Sequence, residues 1–187
     1  MKQHVNIVPL ADDAPIPYDL LLLADETKEI IDSYIYDCSI FMLTKETNIS
    51  LDSLKNQVGC LDHNSSITDK NKSSLDEKSI VAIGVMAIMK LDTDTLELKN
   101  MAIAPHEQSQ GFGSDMLSYL KSYARDHHFQ KIWVGTADVG YRQHQFYMRN
   151  EFEMDHIRKN FFLNNYPVPL IENGLQMKHM LVFQYQL

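Results

Sequence analysis

The amino-acid sequence predicts one α/β domain, in which short apolar strands alternate with amphipathic helices. The stretch from Leu96 to His128 has the pattern of a buried strand, a polar turn with two glycines and an amphipathic helix. The run from Ile80 to Met89 is almost entirely apolar, as is typical of a strand covered on both faces. With 187 residues and a hydrophobic content of 44%, the chain can bury one substantial core.

The N-terminal region predicts a strand, a helical region and a second strand. Alternating apolar residues from His4 to Pro9 indicate the first strand, and the prolines that follow suit the opening of a helix. Between Tyr18 and Tyr36 the apolar residues fall into two sets, so either two helices or one helix broken near Asp25 would place both sets on the core. The apolar run from Cys38 to Leu43 predicts the next strand.

Residues 47–78 form a polar insertion in an otherwise single domain that spans residues 1–187. Asn, Ser, Asp and Lys dominate this segment, and structureless loops longer than about 15 residues are uncommon in compact domains. We favour a solvated surface segment over a functional lid. Asp62 and His63 lie beside Cys60, but no second cluster of ligands completes a zinc site, so we expect no metal.

The remaining elements follow in the second half of the chain. Leu96–Ala104 is predicted to be a strand that ends before Pro105, and the helix after Gly113 presents one apolar face at three- and four-residue spacing, formed by Met116, Leu117, Leu120 and Ala124. Further along we predict a strand at Lys131–Thr136, a helix at Tyr141–Asn150, and strands near Met154–Leu163 and Lys178–Gln186.

Charge and cysteine content limit the classes of function. The net charge is -8, whereas nucleic acids and anionic membranes are bound mainly through clustered Lys and Arg, so we expect neither as a partner. An acidic protein weakly favours cationic ligands. Two cysteines do not make a disulfide framework, and no apolar stretch is long enough to span a bilayer, so we expect a cytoplasmic protein.

The turn from Gln108 to Gly113 has the composition of an anion site. Its backbone N–H groups can converge at the positive end of the helix that follows, which is the usual construction of a phosphate site. It is not a Walker loop, because Ser114 replaces the required lysine, and it lacks the third glycine of a dinucleotide fingerprint, because residue 116 is methionine. Considered alone, the six residues are equally consistent with a plain strand-to-helix turn.

Together with its neighbours, this turn resembles the GNAT superfamily of acyl-CoA-dependent N-acetyltransferases. Gln108, Gly111 and Gly113 match the central Arg/Gln-x-x-Gly-x-Gly/Ala motif. Residues 97–105 are similar to the family's fourth strand, and residues 146–152 to its Leu-Tyr-x-Lys-x-Gly-Phe segment. Residues 17–25 and the tail, with its Asn-Tyr-Pro and Glu-Asn-Gly sequences, are similar to a bacterial subgroup without a defined acceptor.

The resemblance implies a GNAT fold, which is a mixed, mainly antiparallel twisted sheet of six or seven strands flanked by helices. In that fold the fourth and fifth strands splay apart, and the pantetheine arm of the co-substrate acetyl-CoA lies in the gap. The residues implied to bind acetyl-CoA are Met101, Ala102, Ile103, Gln108, Ser109, Gln110, Gly111, Phe112, Gly113 and Ser114.

The resemblance also implies roles for two side chains. Glu97 aligns with a family glutamate that often acts as general base, and an alkylamine, which titrates at ~10.4, needs such a base or a water relay. A strand carboxylate that faces solvent is an equally good interpretation of Glu97. Tyr147 is the candidate acid for the departing thiolate, and we favour this role over a structural one. Cys38 and Cys60 show no context that would lower their pKa, so direct transfer is preferred to an acyl-enzyme.

Two departures from the family pattern affect the predicted site. Glu151 replaces a glycine, so the turn before Phe152 lacks a residue that adopts positive φ freely. Asp138 stands where the resembling bacterial subgroup often has asparagine, and a carboxylate near the phosphates is unfavourable unless it points elsewhere.

We therefore expect an acyltransferase that moves the acetyl group of acetyl-CoA to a primary amine by direct transfer through a ternary complex. The alternative is a non-catalytic acyl-CoA-binding or regulatory module that has kept the turn. The acceptor is expected to be a small-molecule or peptide amine, selected by the first helices, the insertion and the loop from Tyr166 to Gly174. A homodimer is left open by the sequence.

Overall fold

The computed structural model describes residues 5–49 and 77–187. The strands are β1 (Val5–Pro9), β2 (Cys38–Ile49), β3 (Glu77–Lys90), β4 (Thr95–Ile103), β5 (Lys131–Ala137), β6 (Glu153–Arg158), β7 (Ile171–Glu172), β8 (Leu175–Gln176) and β9 (Met180–Gln186). The helices are α1 (Tyr18–Leu21), α2 (Lys28–Asp32), α3 (Phe112–Asp126), α4 (Tyr141–Arg149) and α5 (Phe161–Asn165). None of the helices in these residues is long and apolar enough to cross a bilayer.

Seven of the described strands form one mixed sheet in the order β1-β2-β3-β4-β5-β9-β6, and β7 and β8 form a separate hairpin. Every neighbouring pair in the described part of the sheet is antiparallel except β4 and β5, which run parallel. The predicted fold class, a mixed and mainly antiparallel sheet flanked by helices, is confirmed.

The N-terminal helical region forms two short helices, which is one of the two arrangements that the apolar pattern allowed. The backbone N–H of Ile30 donates to Thr27 Oγ1 at 3.4 Å, so Thr27 caps the second helix, α2. Leu21, Ile31 and Ile35 are buried against one face of the sheet. These contacts fix the loop between α1 and α2 next to β4.

Strands β2 and β3 extend into both ends of the predicted insertion at 47–78. Their pairing runs to Ile49 and Glu77, and residues 50–76, which include Cys60, Asp62 and His63, lie outside the described residues. The prediction that Ile80–Met89 is covered on both faces is wrong at its start, where Ile80 is 72% exposed. The reason is that this end of β3 extends past β4, which pairs with it only from Gly84 onward, and past the core, which begins on β3 at Ile83.

Helix α3 supplies much of the main core. Its predicted apolar face is confirmed, because Met116, Leu117, Leu120 and Ala124 are fully buried against the sheet. The helix starts earlier than predicted, at Phe112, so Gly113 lies in its first turn. The positive end of α3 therefore points directly at the turn before it.

Strands β4 and β5 separate halfway along their length. Their parallel pairing covers only Thr95–Leu98 against Lys131–Val134. Beyond this point β4 continues beside β3 and β5 continues beside β9, and β4 carries an extra residue, Lys99, at a shift in its register with β3. The splayed strands that the family resemblance implied are confirmed.

The prediction of a strand over Met154–Leu163 is wrong in its second half. Strand β6 ends at Arg158, because Asn160 adopts a left-handed conformation with φ +56° and helix α5 begins directly after it. Phe162 of this helix packs with Ala137, Val139 and Met177 in a small separate cluster. That cluster closes the C-terminal side of the gap between β4 and β5.

Candidate active site

Two clefts meet where β4 and β5 separate. The first has a volume of ≈ 540 Å³ and lies beside the Gln108–Gly113 turn, and we call it the glycine-turn cleft. The second has a volume of ≈ 490 Å³ and lies between the α1–α2 loop, the splayed strands and the C-terminal region. Because Asp25, Glu26 and Glu172 line it, we call it the acidic cleft. Among the described residues, those that line both clefts are Leu23, Met101, Gln143 and Tyr147.

A larger cleft of ≈ 920 Å³ lies elsewhere, between the Pro9–Ala14 segment, β2 and the C-terminal half of α3. In the described part of the chain it shares no lining residue with the other two clefts. None of the predicted site residues lines it. Its size alone therefore does not make it the reaction site.

The Gln108–Gly113 turn is shaped to present main-chain N–H groups. Ser109 and Gly111 adopt φ of +63° and +90°, which folds the turn back on itself. Gly111 offers no side-chain cap to α3, and the N–H groups of the first helical turn have no partner inside the helix. A Cβ at position 111 would meet no protein atom within 4 Å, so this side of the turn is open. These features fit a pyrophosphate held by main-chain groups.

A buried ion pair between Lys45 and Glu107 anchors the start of the turn. Glu107 is 7% exposed and accepts a hydrogen bond from Lys45 Nζ at 2.8 Å and another from Gln110 Nε2 at 3.0 Å. The Lys45 ammonium lowers the pKa of the Glu107 carboxyl. Gln108 Nε2 donates to the carbonyl oxygen of Ile103 at 3.0 Å. The turn is thereby tied to both β2 and β4.

The open edge of β4 supplies main-chain groups to the glycine-turn cleft. The N–H of Ala104 donates to Ile83 O at 2.8 Å, so Ala104 directs its main-chain groups toward β3. Because directions alternate along a strand, Met101 and Ile103 direct theirs into the gap. Ala102 lines the cleft between them. The Ile103 carbonyl already accepts from Gln108 Nε2, so this edge offers the main-chain groups of Met101 and the N–H of Ile103 to an extended ligand.

Tyr147 lies at the junction of the two clefts. It is 9% exposed, and its ring packs against Phe146, Phe152 and Phe183. Burial raises the pKa of the Tyr147 phenol, so the hydroxyl keeps its proton at neutral pH. No hydrogen bond of this hydroxyl is found within the residues that the structure describes.

Helix α4 brings further residues to the glycine-turn cleft that the sequence analysis missed. Arg142, Phe146 and Arg149 line this cleft, and their spacing of four and three residues places them on one helix face. Two guanidinium groups beside the positive end of α3 suit a ligand that carries phosphates. The spacing is visible in the sequence, but only the packing of α4 shows which face meets the cleft.

Glu97 lies outside both clefts. It stands where β4 is still paired with β5, opposite Trp133. Its side chain is 5% exposed, and its carboxylate contacts Arg158 at 3.2 Å and Lys99 at 3.4 Å. It therefore does not face solvent, and one of the residues that its carboxylate contacts, Lys99, lines the acidic cleft.

The acidic cleft contains two polar residues that the sequence analysis did not single out as functional. Asp25 lies in the α1–α2 loop, and Asn100 lies on β4 directly before Met101. Strand β4 also contains Glu97 and Lys99, so no signal in the sequence set Asn100 apart. Without the fold, nothing connected it to Asp25.

The two departures from the family pattern have structural explanations. Glu151 adopts φ +67°, and Lys121 Nζ contacts both its carboxylate at 2.8 Å and the carbonyl of Asn150 at 2.7 Å. Asp138 Oδ1 accepts a hydrogen bond from the N–H of Lys178 at 3.0 Å and does not line the glycine-turn cleft. Both side chains are thus occupied away from the cleft.

Cys38 has no nucleophilic character in this structure. Burial raises the pKa of its thiol to about 12, so the thiolate is not formed at neutral pH. Cys38 also lines neither of the two clefts that meet at Tyr147.

Comparison with known proteins extends these observations. Residues 55–152, more than half of the chain, match the model of the family described as Acetyltransferase (GNAT) family. An uncharacterized N-acetyltransferase of Bacillus subtilis (strain 168) is 26% identical over 163 residues, which cover 87% of this chain and 84% of that protein. The crystal structure of a GNAT family acetyltransferase from Elizabethkingia anophelis with acetyl-CoA bound has a TM-score of 0.75 at 30% identity and covers 98% of each chain. An IAA acetyltransferase from Bacillus cereus ATCC 14579 shares the fold, with a TM-score of 0.73 at 24% identity over 98% of this chain and 100% of that one.

Proposed function

The chain belongs to the acetyltransferase (GNAT) family, and on that basis we propose how its residues transfer the acetyl group of acetyl-CoA to a primary amine. The protein is an acetyl-CoA-dependent N-acetyltransferase. The observation that carries the proposed mechanism is the position of Tyr147, which lines both the glycine-turn cleft and the acidic cleft. The first cleft would hold the co-substrate and the second the amine.

We assign acetyl-CoA binding to main-chain groups along one continuous part of the chain. The N–H groups at the start of α3 face the pyrophosphate, and Met101 and Ile103 offer main-chain groups to the pantetheine amides. The full set is Met101, Ala102, Ile103, Gln108, Ser109, Gln110, Gly111, Phe112, Gly113 and Ser114, with Arg142 and Arg149 as additional phosphate contacts. All of these line the glycine-turn cleft except Gln110, whose side chain donates to Glu107. When bound, acetyl-CoA supplies an activated acetyl thioester.

We assign the role of general acid to Tyr147. The amine enters as an ammonium ion and loses one proton before its nitrogen attacks the acetyl carbon. As the C–N bond forms and the C–S bond breaks, Tyr147 donates its phenolic proton to sulfur and recovers a proton from the new amide nitrogen. A main-chain N–H at Ile103 stabilises the charge that develops on the carbonyl oxygen. The overall reaction releases one proton.

Glu97 remains our candidate for the general base that removes the first proton. Its carboxylate does not line the acidic cleft, so this role requires a water molecule or the Lys99 ammonium between them. The test is Glu97→Gln, followed across pH. We expect kcat/KM to fall about a hundredfold at neutral pH and to recover as pH rises toward the pKa of the amine, because solution then supplies the neutral nucleophile. A deficit that stays constant with pH would show that Glu97 positions Arg158 and Lys99 instead.

The experiment that tests the proposed function combines binding with turnover. Calorimetry measures acetyl-CoA binding, a thiol reagent follows CoA release with a broad panel of amines, and mass spectrometry detects the acetylated product. The proposal predicts binding in the absence of amine and thiol release only when an amine is present. Tight binding without amine-dependent thiol release would instead identify a non-catalytic acyl-CoA-binding module.

A further inference from the structure

The acidic cleft has a charge that restricts its occupant. Asp25, Glu26 and Glu172 line it, and among the described lining residues the cation is Lys99. Lys99 is already engaged, because its ammonium contacts Glu97 at 3.4 Å and lies over the ring of Tyr34. The cleft therefore attracts positive charge and disfavours a ligand that carries a carboxylate.

Asn100, which lines this cleft, has a side-chain oxygen without a hydrogen-bond partner among the described residues. It is 4% exposed, and its Nδ2 group donates to Leu21 O at 3.0 Å and to Asp25 Oδ2 at 2.8 Å. Both partners accept only, so the orientation of the amide is fixed by its surroundings. Asn100 Oδ1 is buried and has no partner within the described residues. A buried acceptor without a donor is costly, so this oxygen calls for a ligand that donates.

One carboxylate oxygen of Asp25 accepts hydrogen bonds from within the protein, and these bonds orient the carboxylate. Tyr34 Oη and Asn100 Nδ2 both donate to Asp25 Oδ2. Burial and the nearby Asp25 carboxylate raise the pKa of the Tyr34 phenol, so this donor keeps its proton. No hydrogen bond to Asp25 Oδ1 is found in the part of the chain that the structure describes. A fixed carboxylate beside an unpaired amide oxygen forms a pair of acceptors suited to a nitrogen with several N–H groups.

Asp25 and Asn100 line the same cleft as Tyr147, the proposed general acid. Asn100 directly precedes Met101, which lines both clefts and directs its main-chain groups into the gap. Asn100 and Tyr147 thus line the same cleft, and a nitrogen held at Asn100 shares that cleft with the Tyr147 side chain. Burial, Asp25 and Glu26 also raise the pKa of Tyr166 to about 12, which keeps this cleft-lining phenol neutral at neutral pH.

We propose that Asp25 and Asn100 hold the amino group of the acceptor, and that the acceptor is a small cationic amine, such as a diamine, without a carboxylate of its own. This inference rests on the proposed acetyl transfer and adds to it the substrate class and two residues that bind the acceptor. Asp25 supplies the charge, Asn100 Oδ1 supplies a second acceptor, and Glu26 or Glu172 receives a second amino group.

The sharpest variant is Asp25→Asn. The asparagine oxygen can still accept from Tyr34 and Asn100, so the internal hydrogen bonds are kept while the charge toward the cleft is removed. The matched control is Asp19→Asn, which changes an exposed carboxylate of α1 that lines neither cleft. Thermal denaturation of both variants shows whether the fold is retained.

Putrescine, butylamine and γ-aminobutyrate are the acceptor probes, because they share one chain length and differ only in the group at the far end. We expect the wild type to prefer putrescine over γ-aminobutyrate by about tenfold or more in kcat/KM. Asp25→Asn should raise the KM for putrescine about tenfold and leave the KM for acetyl-CoA unchanged. Calorimetric binding of putrescine to the CoA-bound protein should weaken by the same factor.

The contribution of the Asn100 oxygen is measured with a second pair of variants. Asn100→Ala removes the oxygen together with the donor to Asp25, whereas Tyr34→Phe removes the other donor to Asp25 and keeps the oxygen. We expect the KM for putrescine to rise about tenfold in the first variant and about threefold in the second. Equal effects would show that the oxygen does not contact the acceptor.

Failure of the acceptor site and failure of acetyl transfer give different results. Equal use of γ-aminobutyrate and putrescine, or an unchanged KM for putrescine in Asp25→Asn, would overturn the acceptor site while acetyl transfer stands. If acetyl-CoA binds and no amine of the broad panel releases thiol, the proposed function fails and the acceptor site fails with it.

Discussion

The two clefts that meet at Tyr147 are built from different parts of the molecule. The glycine-turn cleft is lined largely by residues of one continuous segment, Met101–Ser114, whose turn and strand edge present main-chain groups. The acidic cleft is formed by side chains from the α1–α2 loop, the splayed strands and the C-terminal region. A main-chain site requires glycines at fixed spacing and therefore leaves a motif, whereas a site made of scattered side chains leaves none. The co-substrate site can therefore be recognised from a local sequence motif, whereas the acceptor site becomes visible only in the folded structure.

The largest effect is expected where the main chain itself forms the site. Gly111→Val places a side chain on the open face of a residue with φ +90°. We expect acetyl-CoA binding to weaken about a hundredfold, or ~2.7 kcal/mol, as measured by calorimetry. Gly174→Val is the matched control, because Gly174 also has positive φ and open space but lines neither cleft. Equal loss of binding in both variants would mean that only backbone strain had been measured.

A smaller effect is expected at the ion pair beneath the turn. Lys45→Met leaves the buried Glu107 carboxylate without its cation, which should lower the free energy of unfolding by about 2 kcal/mol in a denaturant titration. Acetyl-CoA binding should weaken only severalfold, because the main-chain groups remain. Lys28→Met removes an exposed pair with Asp32 and should leave stability almost unchanged.

The same ion pair has a defined pH dependence. Lys45 lowers the pKa of Glu107 below the ordinary glutamate value of 4.5, so the pair contributes stability that is fully present above this value and is lost as pH falls through the folded-state pKa. The difference in unfolding free energy between the wild type and Lys45→Met should therefore be constant at neutral pH and shrink below about pH 4.5. A difference that persists unchanged at lower pH would contradict the ion pair.

The smallest effect is expected outside both clefts, at the turn that follows α4. Glu151→Gly relieves the left-handed conformation and removes the contact with Lys121, and we expect Tm to rise by about 2 °C without a change in either KM. Glu153→Gly, in extended β6, should lower Tm instead. A change in the KM for acetyl-CoA in Glu151→Gly would show that this turn controls the position of Tyr147.

Much of the fold could be predicted because periodic apolar patterns report burial. The face of α3 is an example, since four apolar residues at helical spacing can meet the sheet only on one side. Errors arose where tertiary context decides. Ile80 is apolar yet exposed because β3 extends past β4, and Phe161 lies within the predicted strand but begins a helix because Asn160 turns the chain.

The same distinction applies to the site. Gln108, Gly111 and Gly113 could be recognised because they stand at the fixed spacing of a family motif, and Gly111 has a φ of +90°, which favours glycine. Asp25 and Asn100 could not, because a polar residue in a loop or strand has many uses until its neighbours are known. Glu97 illustrates a further limit, since its alignment suggested a role while only the structure shows Arg158 and Lys99 on its carboxylate.

The most direct test of the central claim, that Tyr147 serves the reaction from the junction of the two clefts, is the kcat of Tyr147→Phe at saturating acetyl-CoA and amine. The variant keeps the buried ring and removes only the hydroxyl, with Tyr141→Phe on the same helix as control. The account predicts a fall in kcat of about a hundredfold with both KM values within about threefold of the wild type. A kcat that stays close to the wild-type value would contradict it and reduce Tyr147 to a packing residue.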